Sequence, residues 1–498
     1  MKTKMKLTAV FLVLACLLSA CSASSSGQAE AMLDGMYINS ALAGGSVPGE
    51  SYTKIIENAF ISTADEATSY FSIDANTASY PNLRSLIQNG YDVPADAVRV
   101  EEILNYFHYD YDTPEDGAIL SLTASLFDTP YNSETKLLTI GLAAQEVEFT
   151  EVKNNLVFLI DTSGSMFGSD RLELVQQAFM MLAENLNPED RISVVTYAGS
   201  DSVALEGAYG YEKQKIIAVI EDLSAGGSTA GAAGIQTAYR LAEKYFIEDA
   251  NNRVILATDG DFNVGISSTD ELKDFIAAKR DTGVYFSVFG VGRGNLQADK
   301  MEALALNGNG TYSYIDSPTE ARRALVEQIG GSMITVAKDV KAGVIFDPEY
   351  VESFRLVGYE NKLLTQEEFE DSSTDAGELG SGHTVTVVYE LRLTEAALTA
   401  DSSLAQVTIK YKEPGDTSED DGQDLLLDIT GAAYRSELTD QDRFIASVVE
   451  FALLARDSEY KQDASLTTVI ARLEDLDLSG DEFKEEFREL VKAYAKDR

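Results

Sequence analysis

Five oxygen-bearing side chains, carried on three separated loops, are the residues of this chain best suited to hold a metal ion. Asp161, Ser163 and Ser165 alternate in Asp161-Thr-Ser163-Gly-Ser165, directly after the apolar run Leu156 to Ile160. Thr229 closes Gly226-Gly227-Ser228-Thr229, and Asp259 stands in Thr258-Asp259-Gly260 after the run Val254 to Ala257. Magnesium is a hard cation that takes about six oxygens near 2.0–2.1 Å and keeps water where protein ligands run out. Hydroxyls suit that demand. Asp161 and Asp259 would just neutralise the ion, leaving it able to exchange a water for one further anion, such as an Asp or Glu side chain offered by a protein partner. Four carboxylates would instead satisfy the ion and favour calcium-type buffering. The expected occupant is Mg2+, with Mn2+ or Ca2+ as alternatives.

Other chemistries lack their raw material. The chain has two histidines, His108 and His383, and two cysteines, Cys16 and Cys21, so zinc sites and His-based triads are not expected. Metal-assisted hydrolysis or phosphoryl transfer needs a general base beside the ion, and both histidines fall outside residues 152–332, so no enzyme is expected. Ser163 also occupies the place where phosphatases that begin Asp-x-Asp carry their general acid. Gly290-x-Gly292-x-Gly294 lacks the third Gly of a dinucleotide fingerprint. Asp259-x-Asp261-x-Asn263 with Asp270 imitates a calcium loop, but Val264 stands where that loop needs Gly, so Asp261 and Asn263 read as turn residues on the rim.

The elements that must position the five oxygens alternate in type. After the first apolar run, Leu172, Val175, Phe179, Leu182 and Leu186 recur at helical spacing, and Ile192 to Tyr197 returns to strand. Helices are expected at Lys215 to Leu223, Ile235 to Phe246 and Glu271 to Lys279, with strands at Val254 to Ala257, Tyr285 to Phe289 and Tyr312 to Ile315. Ser202 to Leu205 reads as an antiparallel edge strand. Such alternation predicts an α/β fold, a doubly wound, mostly parallel sheet over residues 152–332, whose ligands bind at the carboxyl ends of the strands. Strand-like runs flank this block on both sides, Ile119 to Phe127 and Leu137 to Leu142 before it, then Val340 to Phe346, Ser353 to Val357, Thr384 to Leu393 and Leu404 to Tyr411 after it. One β-sandwich interrupted by an inserted domain explains both sets.

The remaining segments are helical or irregular. Helices are expected at Pro81 to Gln88, ending at Asn89-Gly90, and at Ala95 to Phe107; three more, Asp442 to Leu454, Leu466 to Leu473 and Glu482 to Ala495, form a small C-terminal bundle that docks on the body. Tyr106, Phe107, His108, Tyr109 and Tyr111 read as an aromatic cluster that closes a core, with partner binding as the alternative, and Glu413 to Asp424 as a solvated acidic loop, with loose calcium binding as the alternative. The predicted organisation is therefore a signal over 1–20, a flexible tether over 21–50, a helical cap over 51–117, sandwich strands over 118–150, the α/β domain over 152–332, a β-rich domain over 335–430 and a helical segment over 438–498.

Taken together, Asp161-x-Ser163-x-Ser165, Thr229 and Asp259 resemble the metal-ion-dependent adhesion site of von Willebrand factor type A domains, matching its motif in type and in order over about 180 residues. The resemblance implies that Asp161, Ser163 and Ser165 do the central work, while Thr229 and Asp259 reach the ion directly or through water. The flanks Ser72-Ile-Asp-Ala-Asn-Thr-Ala-Ser-Tyr80 and Asp375-Ala-Gly-Glu-Leu-Gly-Ser-Gly-His383 are similar to those of a bacterial lipoprotein family that carries this domain centrally.

Charge and the N-terminus bound location and partner. The chain carries 39 Lys+Arg against 82 Asp+Glu, a balance of −43, which repels nucleic acid. Lys2, Lys4 and Lys6 precede the apolar run Leu7 to Leu18, too short for a membrane span, and Leu18-Ser19-Ala20-Cys21 resembles a lipobox whose Cys21 is lipidated. The expectation is a lipid-anchored protein on the extracytoplasmic face of the cell membrane, mediating cation-dependent adhesion or protein–protein interaction. The alternative is an envelope assembly scaffold whose metal only stabilises the central domain.

Overall fold

The computed structural model describes residues 47–73, 75–115, 117–147, 152–227, 232–260, 269–327, 334–399, 401–416 and 421–496. The chain begins with two short strands, β1 (Ile61–Ser62) and β2 (Thr68–Ser72), two helices, α1 (Ser79–Gln88) and α2 (Val100–Leu104), and a hairpin, β3 (Leu120–Asp128) and β4 (Lys136–Ala144). The alternating block follows as β5 (Asn154–Asp161), α3 (Leu172–Glu184), β6 (Arg191–Tyr197), β7 (Asp201–Tyr209), α4 (Lys213–Glu221), α5 (Ala232–Lys244), β8 (Asn251–Thr258), α6 (Thr269–Arg280), β9 (Tyr285–Val291), α7 (Ala298–Asn307), β10 (Tyr312–Ile315) and α8 (Pro318–Arg322). Next come β11 (Thr335–Phe346), β12 (Val351–Val357), α9 (Gln366–Glu370), β13 (Gly377–Gly380), β14 (Thr384–Leu393), β15 (Ser403–Lys412) and β16 (Gln423–Thr430). Helices α10 (Asp440–Ala455), α11 (Leu466–Glu474) and α12 (Glu482–Lys496) end the chain.

The central sheet runs β10-β9-β8-β5-β6-β7, parallel throughout except for the antiparallel edge strand β7. Every residue of β5 is buried, as a strand covered on both faces must be. Its side chains alternate between two cores: Leu156, Phe158 and Ile160 pack with α3 and α4, Val157 and Leu159 with α5, α6 and α7. Phe158 stacks on Phe179 with centroids 4.3 Å apart. The chain leaves β5 toward one face and β8 toward the other, so the adjacent carboxyl ends of these two strands border a crevice.

The sandwich is assembled from both sides of this block. One sheet runs β1-β12-β14-β4-β3 and the other β13-β11-β15-β16, with β2 added to β11. Strand β4, before the insertion, pairs antiparallel with β14, after it, along Lys136 to Ala143. Between the sheets, Phe346 stacks on Phe354 at 4.4 Å and meets Tyr389 at 5.2 Å. Ser381 joins the two ends of the insertion: its N–H donates to Ile334 O at 2.8 Å, and its hydroxyl accepts from Val147 N–H at 2.6 Å and donates to Val147 O at 3.0 Å. The expectation that the ends of the insertion lie close together is met at one residue, through its backbone N–H and its hydroxyl.

Several expectations need correction. Residues 51–117 are more than a helical cap, because β1 and β2 add strands to both sandwich sheets. The helix expected over Ala95 to Phe107 is broken: a 3-10 turn at Ala95–Ala97 gives way to extended Val98 and Arg99 before α2. Ser79 causes the break, donating its hydroxyl to Ala97 O at 2.7 Å and accepting from Arg99 N–H at 3.0 Å, while the Arg99 guanidinium pairs with Glu302 on α7 at 3.1 Å. The acidic stretch through Asp424 is not all loop, since β16 begins at Gln423, with Asp424 and Asp428 facing outward toward Lys410 and Gln406. The end of the expected tether, residues 47–50, also belongs to the body, where Glu50 pairs with Arg293.

The aromatic cluster closes a core, as expected, except that His108 faces outward and is exposed. Tyr106, Phe107 and Tyr109 are buried, and Phe107 meets Phe444 at 5.0 Å and Phe487 at 5.3 Å, fastening α10 and α12 to the N-terminal helices. Among the described residues no helix is long and apolar enough to cross a membrane.

A buried ionic knot ties the three parts together. Arg84 on α1 is 2 % exposed and donates to Asp316 at 2.8 and 2.6 Å, to Glu320 at 2.8 Å and to Glu486 on α12 at 3.0 Å. Tyr106 donates its hydroxyl to Glu320 at 2.7 Å, and Arg323 donates to Glu320 at 3.0 Å. Removing one partner from a buried charge cluster leaves the others uncompensated. Arg84→Met is expected to cost about 3–5 kcal/mol of unfolding free energy by urea titration; a loss below about 1 kcal/mol would show that the knot contributes little.

Candidate metal centre

The described residues of the expected site converge on the crevice between β5 and β8. Asp161 ends β5 fully buried, its Oδ1 accepting the Ser163 N–H at 2.8 Å and its Oδ2 accepting the hydroxyls of Tyr197 at 3.1 Å and Thr258 at 3.2 Å. A 3-10 turn over Gly164–Met166 brings the next hydroxyl back, so Ser163 Oγ and Ser165 Oγ lie 2.9 Å apart. Met166 is fully buried beneath the turn, whereas Phe167 stands 80 % exposed beside it.

The second loop is fastened to the first by its backbone. Gly226 N–H donates to Thr162 O at 2.8 Å, and Gly164 N–H donates to Gly227 O at 3.2 Å. Thr229 follows two residues later and lies outside the described residues, as do Cys21, Asp261 and Asn263. The third loop carries Asp259, 1 % exposed, whose Oδ2 accepts the Asn295 side-chain amide at 3.2 Å. Thr258, which precedes it, is the residue that binds Asp161, and Gly260 N–H donates to the Thr258 hydroxyl at 3.3 Å. First and third loops thus share a direct hydrogen bond.

Three supporting residues were not singled out in the sequence. Tyr197 and Thr258 are the last residues of β6 and β8, and strand-end hydroxyls at the ligand edge were the available signal. Asn295 follows the Gly-rich loop after β9, a loop read only as an incomplete nucleotide fingerprint.

Comparison with known proteins agrees with this architecture. The model of the von Willebrand factor type A domain matches residues 155–328, a von Willebrand factor model matches 46–139, and a model described as "Uncharacterized protein YfbK, C-terminal" matches 331–496. The chain is 37 % identical over 444 residues to "Uncharacterized protein YfbK" of Escherichia coli (strain K12), covering 84 % of this chain and 76 % of that one. The chain belongs to the YfbK family. Its central domain is of von Willebrand factor type A. The chain is also similar to part of the human inter-alpha-trypsin inhibitor heavy chain H3, 28 % identical over 196 residues, 37 % of this chain and 22 % of that one. A solved structure titled "von Willebrand factor type A from Catenulispora acidiphila" covers 78 % of this chain and 91 % of its own at 16 % identity and a TM-score of 0.41.

The donor set of this YfbK-family chain fits a hard divalent cation. Two carboxylates and two hydroxyls come together, and the donors to Asp161 named above are neutral, so none of them offsets its charge. Burial pushes the Asp161 carboxyl above its ordinary 3.8; the Ser163, Tyr197 and backbone donors oppose that rise, and the neighbouring Asp259 charge adds to it. A bound cation would remove both penalties.

The sign of the pH dependence follows. With its folded-state pKa raised, Asp161 binds a proton more tightly in the metal-free fold than in the unfolded chain, so that fold gains stability as pH falls through this pKa. A cation must compete with that proton. The rise in melting temperature produced by Mg2+ over EDTA is therefore expected to shrink as pH falls from neutral toward the ordinary aspartate value of 3.8, with the decline starting above that value. An Mg2+ effect that stays constant over that range would contradict the assignment of Asp161.

Proposed function

We propose that the chain is a cell-envelope lipoprotein that binds a divalent cation, Mg2+ in the first instance, through Asp161, Ser163, Ser165, Thr229 and Asp259. The ion would then hold an Asp or Glu carboxylate of a protein partner. The observation that carries this reading is the meeting of Asp161, Ser163, Ser165 and Asp259 at the crevice, with the Asp161 and Asp259 loops joined through Thr258. Two carboxylates neutralise the cation and leave it able to accept one more anion. Phe167 stands exposed beside the site, where a macromolecular partner would meet it. The lipobox-like Leu18-Ser19-Ala20-Cys21 supports an anchor on the extracytoplasmic face of the membrane.

The second reading is an assembly scaffold in which the cation only stabilises the central domain. One experiment separates the two. Pull-downs from membranes, with Mg2+ or a chelator, compare wild type with Asp161→Ala and Asp259→Ala. The adhesion reading expects one partner to be retained by wild type in Mg2+ and lost by at least tenfold in the other samples, as a 1.4 kcal/mol or greater loss implies. Retention that ignores both chelator and mutation, alongside an Mg2+-dependent melting temperature, would favour the scaffold.

A further inference from the structure

The segment entering the body is seated on the loop that touches Asp259. Ser51 N–H donates to Leu296 O at 3.0 Å, and the Gln297 side chain donates back to Gly49 O at 3.1 Å. The two backbones pack so closely that a Cβ on Gly49, at φ +90°, would stand 2.1 Å from Gly294 O. Glu50 lies in the middle of this seat, its carboxylate 3 % exposed. It accepts from Arg293 Nη1 at 3.1 Å, from Gly294 N–H at 3.3 Å and from the Tyr52 hydroxyl at 2.7 Å. Arg293 is itself fixed to α1, donating to Asn82 Oδ1 at 2.7 Å and to Ser85 Oγ at 3.1 Å.

The other side of the same loop bears on the candidate metal centre. Asn295 donates to Asp259 Oδ2 at 3.2 Å, and its carbonyl oxygen lies where a Cβ on Gly260, at φ +102°, would come within 2.3 Å. Residues 49–51, the loop 292–297 and Asp259-Gly260 thus form three layers in contact, with no residue between them. A shift of the outer layer has to be taken up by the inner one, because packed interiors leave little slack.

We propose that Glu50 and Asn295 are positioning residues for the cation site: the seated segment fixes the loop, and the loop fixes the Asp259 carboxylate. This inference rests on the cation reading given above. Groups that orient a metal ligand from behind typically change metal affinity by about 10–100-fold when removed. Coupling of this kind is reciprocal, so bound cation also holds the segment in its seat. A pull on the chain ahead of Gly49 then weakens the cation, and with it any partner the cation holds.

Calorimetric titration of Mg2+ into the whole protein tests the proposal. Glu50→Ala and Asn295→Ala are each expected to weaken Mg2+ binding roughly tenfold. The double variant is expected to be little weaker than either, since the two act in series. Glu360→Ala, which removes a buried partner of Arg456 elsewhere in the molecule, controls for general destabilisation and is expected to leave Mg2+ affinity unchanged. Wild-type affinity in Glu50→Ala, or losses that simply add in the double variant, would overturn the coupling while leaving the cation site intact. Failure of the wild type to bind Mg2+ would remove the cation reading itself, and the coupling with it. Should Glu50→Ala not fold, hydrogen exchange on the wild type decides: Mg2+ is expected to slow exchange at the Ser51 and Gly294 amides, and unchanged exchange in Mg2+-saturated protein would overturn the proposal.

Discussion

Two like charges held side by side, Asp161 and Asp259, are the constraint on which the rest of this molecule turns. Each ends, or directly follows, a parallel strand buried on both faces, and both carboxylates are held out of water. Burial first, and then the neighbouring Asp259 charge, oppose ionisation of Asp161. The neutral donors around Asp161, from Ser163, Tyr197 and Thr258, soften the penalty without cancelling it. On the proposed reading, an incoming positive charge would relieve this arrangement, and the paired hydroxyls of Ser163 and Ser165 would supply neutral oxygens for it.

The surrounding architecture makes that arrangement rigid. A domain inserted at a sheet edge could move on its two connections, but Ser381 ties exit and return together where β4 meets β14. At the opposite end, the carboxyl ends of β9 and β10 lead into segments gripped by buried charge: Arg293 with Glu50 after β9, and Asp316 and Glu320 with Arg84 after β10. The α/β domain is therefore held at both ends of its sheet. The helices α10 and α12 share an aromatic core with the N-terminal segment, which makes the two chain flanks one body around the insertion.

Much of this was legible in the sequence because the signals were periodic. Apolar runs such as Leu156 to Ile160 and the helical spacing of Leu172, Val175 and Phe179 report burial directly, and the Asp-x-Ser-x-Ser pattern sits where the first run ends. The interrupted sandwich was also readable, since Leu137 to Leu142 and Thr384 to Leu393 are unmistakable strands. What escaped detection depends on partners far along the chain. The start of strand β16 looks like the end of an acidic loop because Asp424 faces outward, and Lys410 on β15 explains it. The break at Arg99 is set by Ser79 and by Glu302, about two hundred residues away in sequence. Glu50 reads as one of three acidic residues in the tether, with Glu30 and Asp34, until Arg293 is placed against it. Asn295 carries no local signal of its contact with Asp259 at all.

The account stands on one ion sitting between the first and third loops. Anomalous diffraction from crystals grown with Mn2+, a scatterer that can stand in for Mg2+, tests this most directly. A single strong peak beside the Ser163 and Ser165 hydroxyls, between Asp161 and Asp259 and absent from Asp161→Ala crystals, is the predicted result. A map without a peak at that crevice, or with manganese bound only elsewhere on the acidic surface, would contradict it.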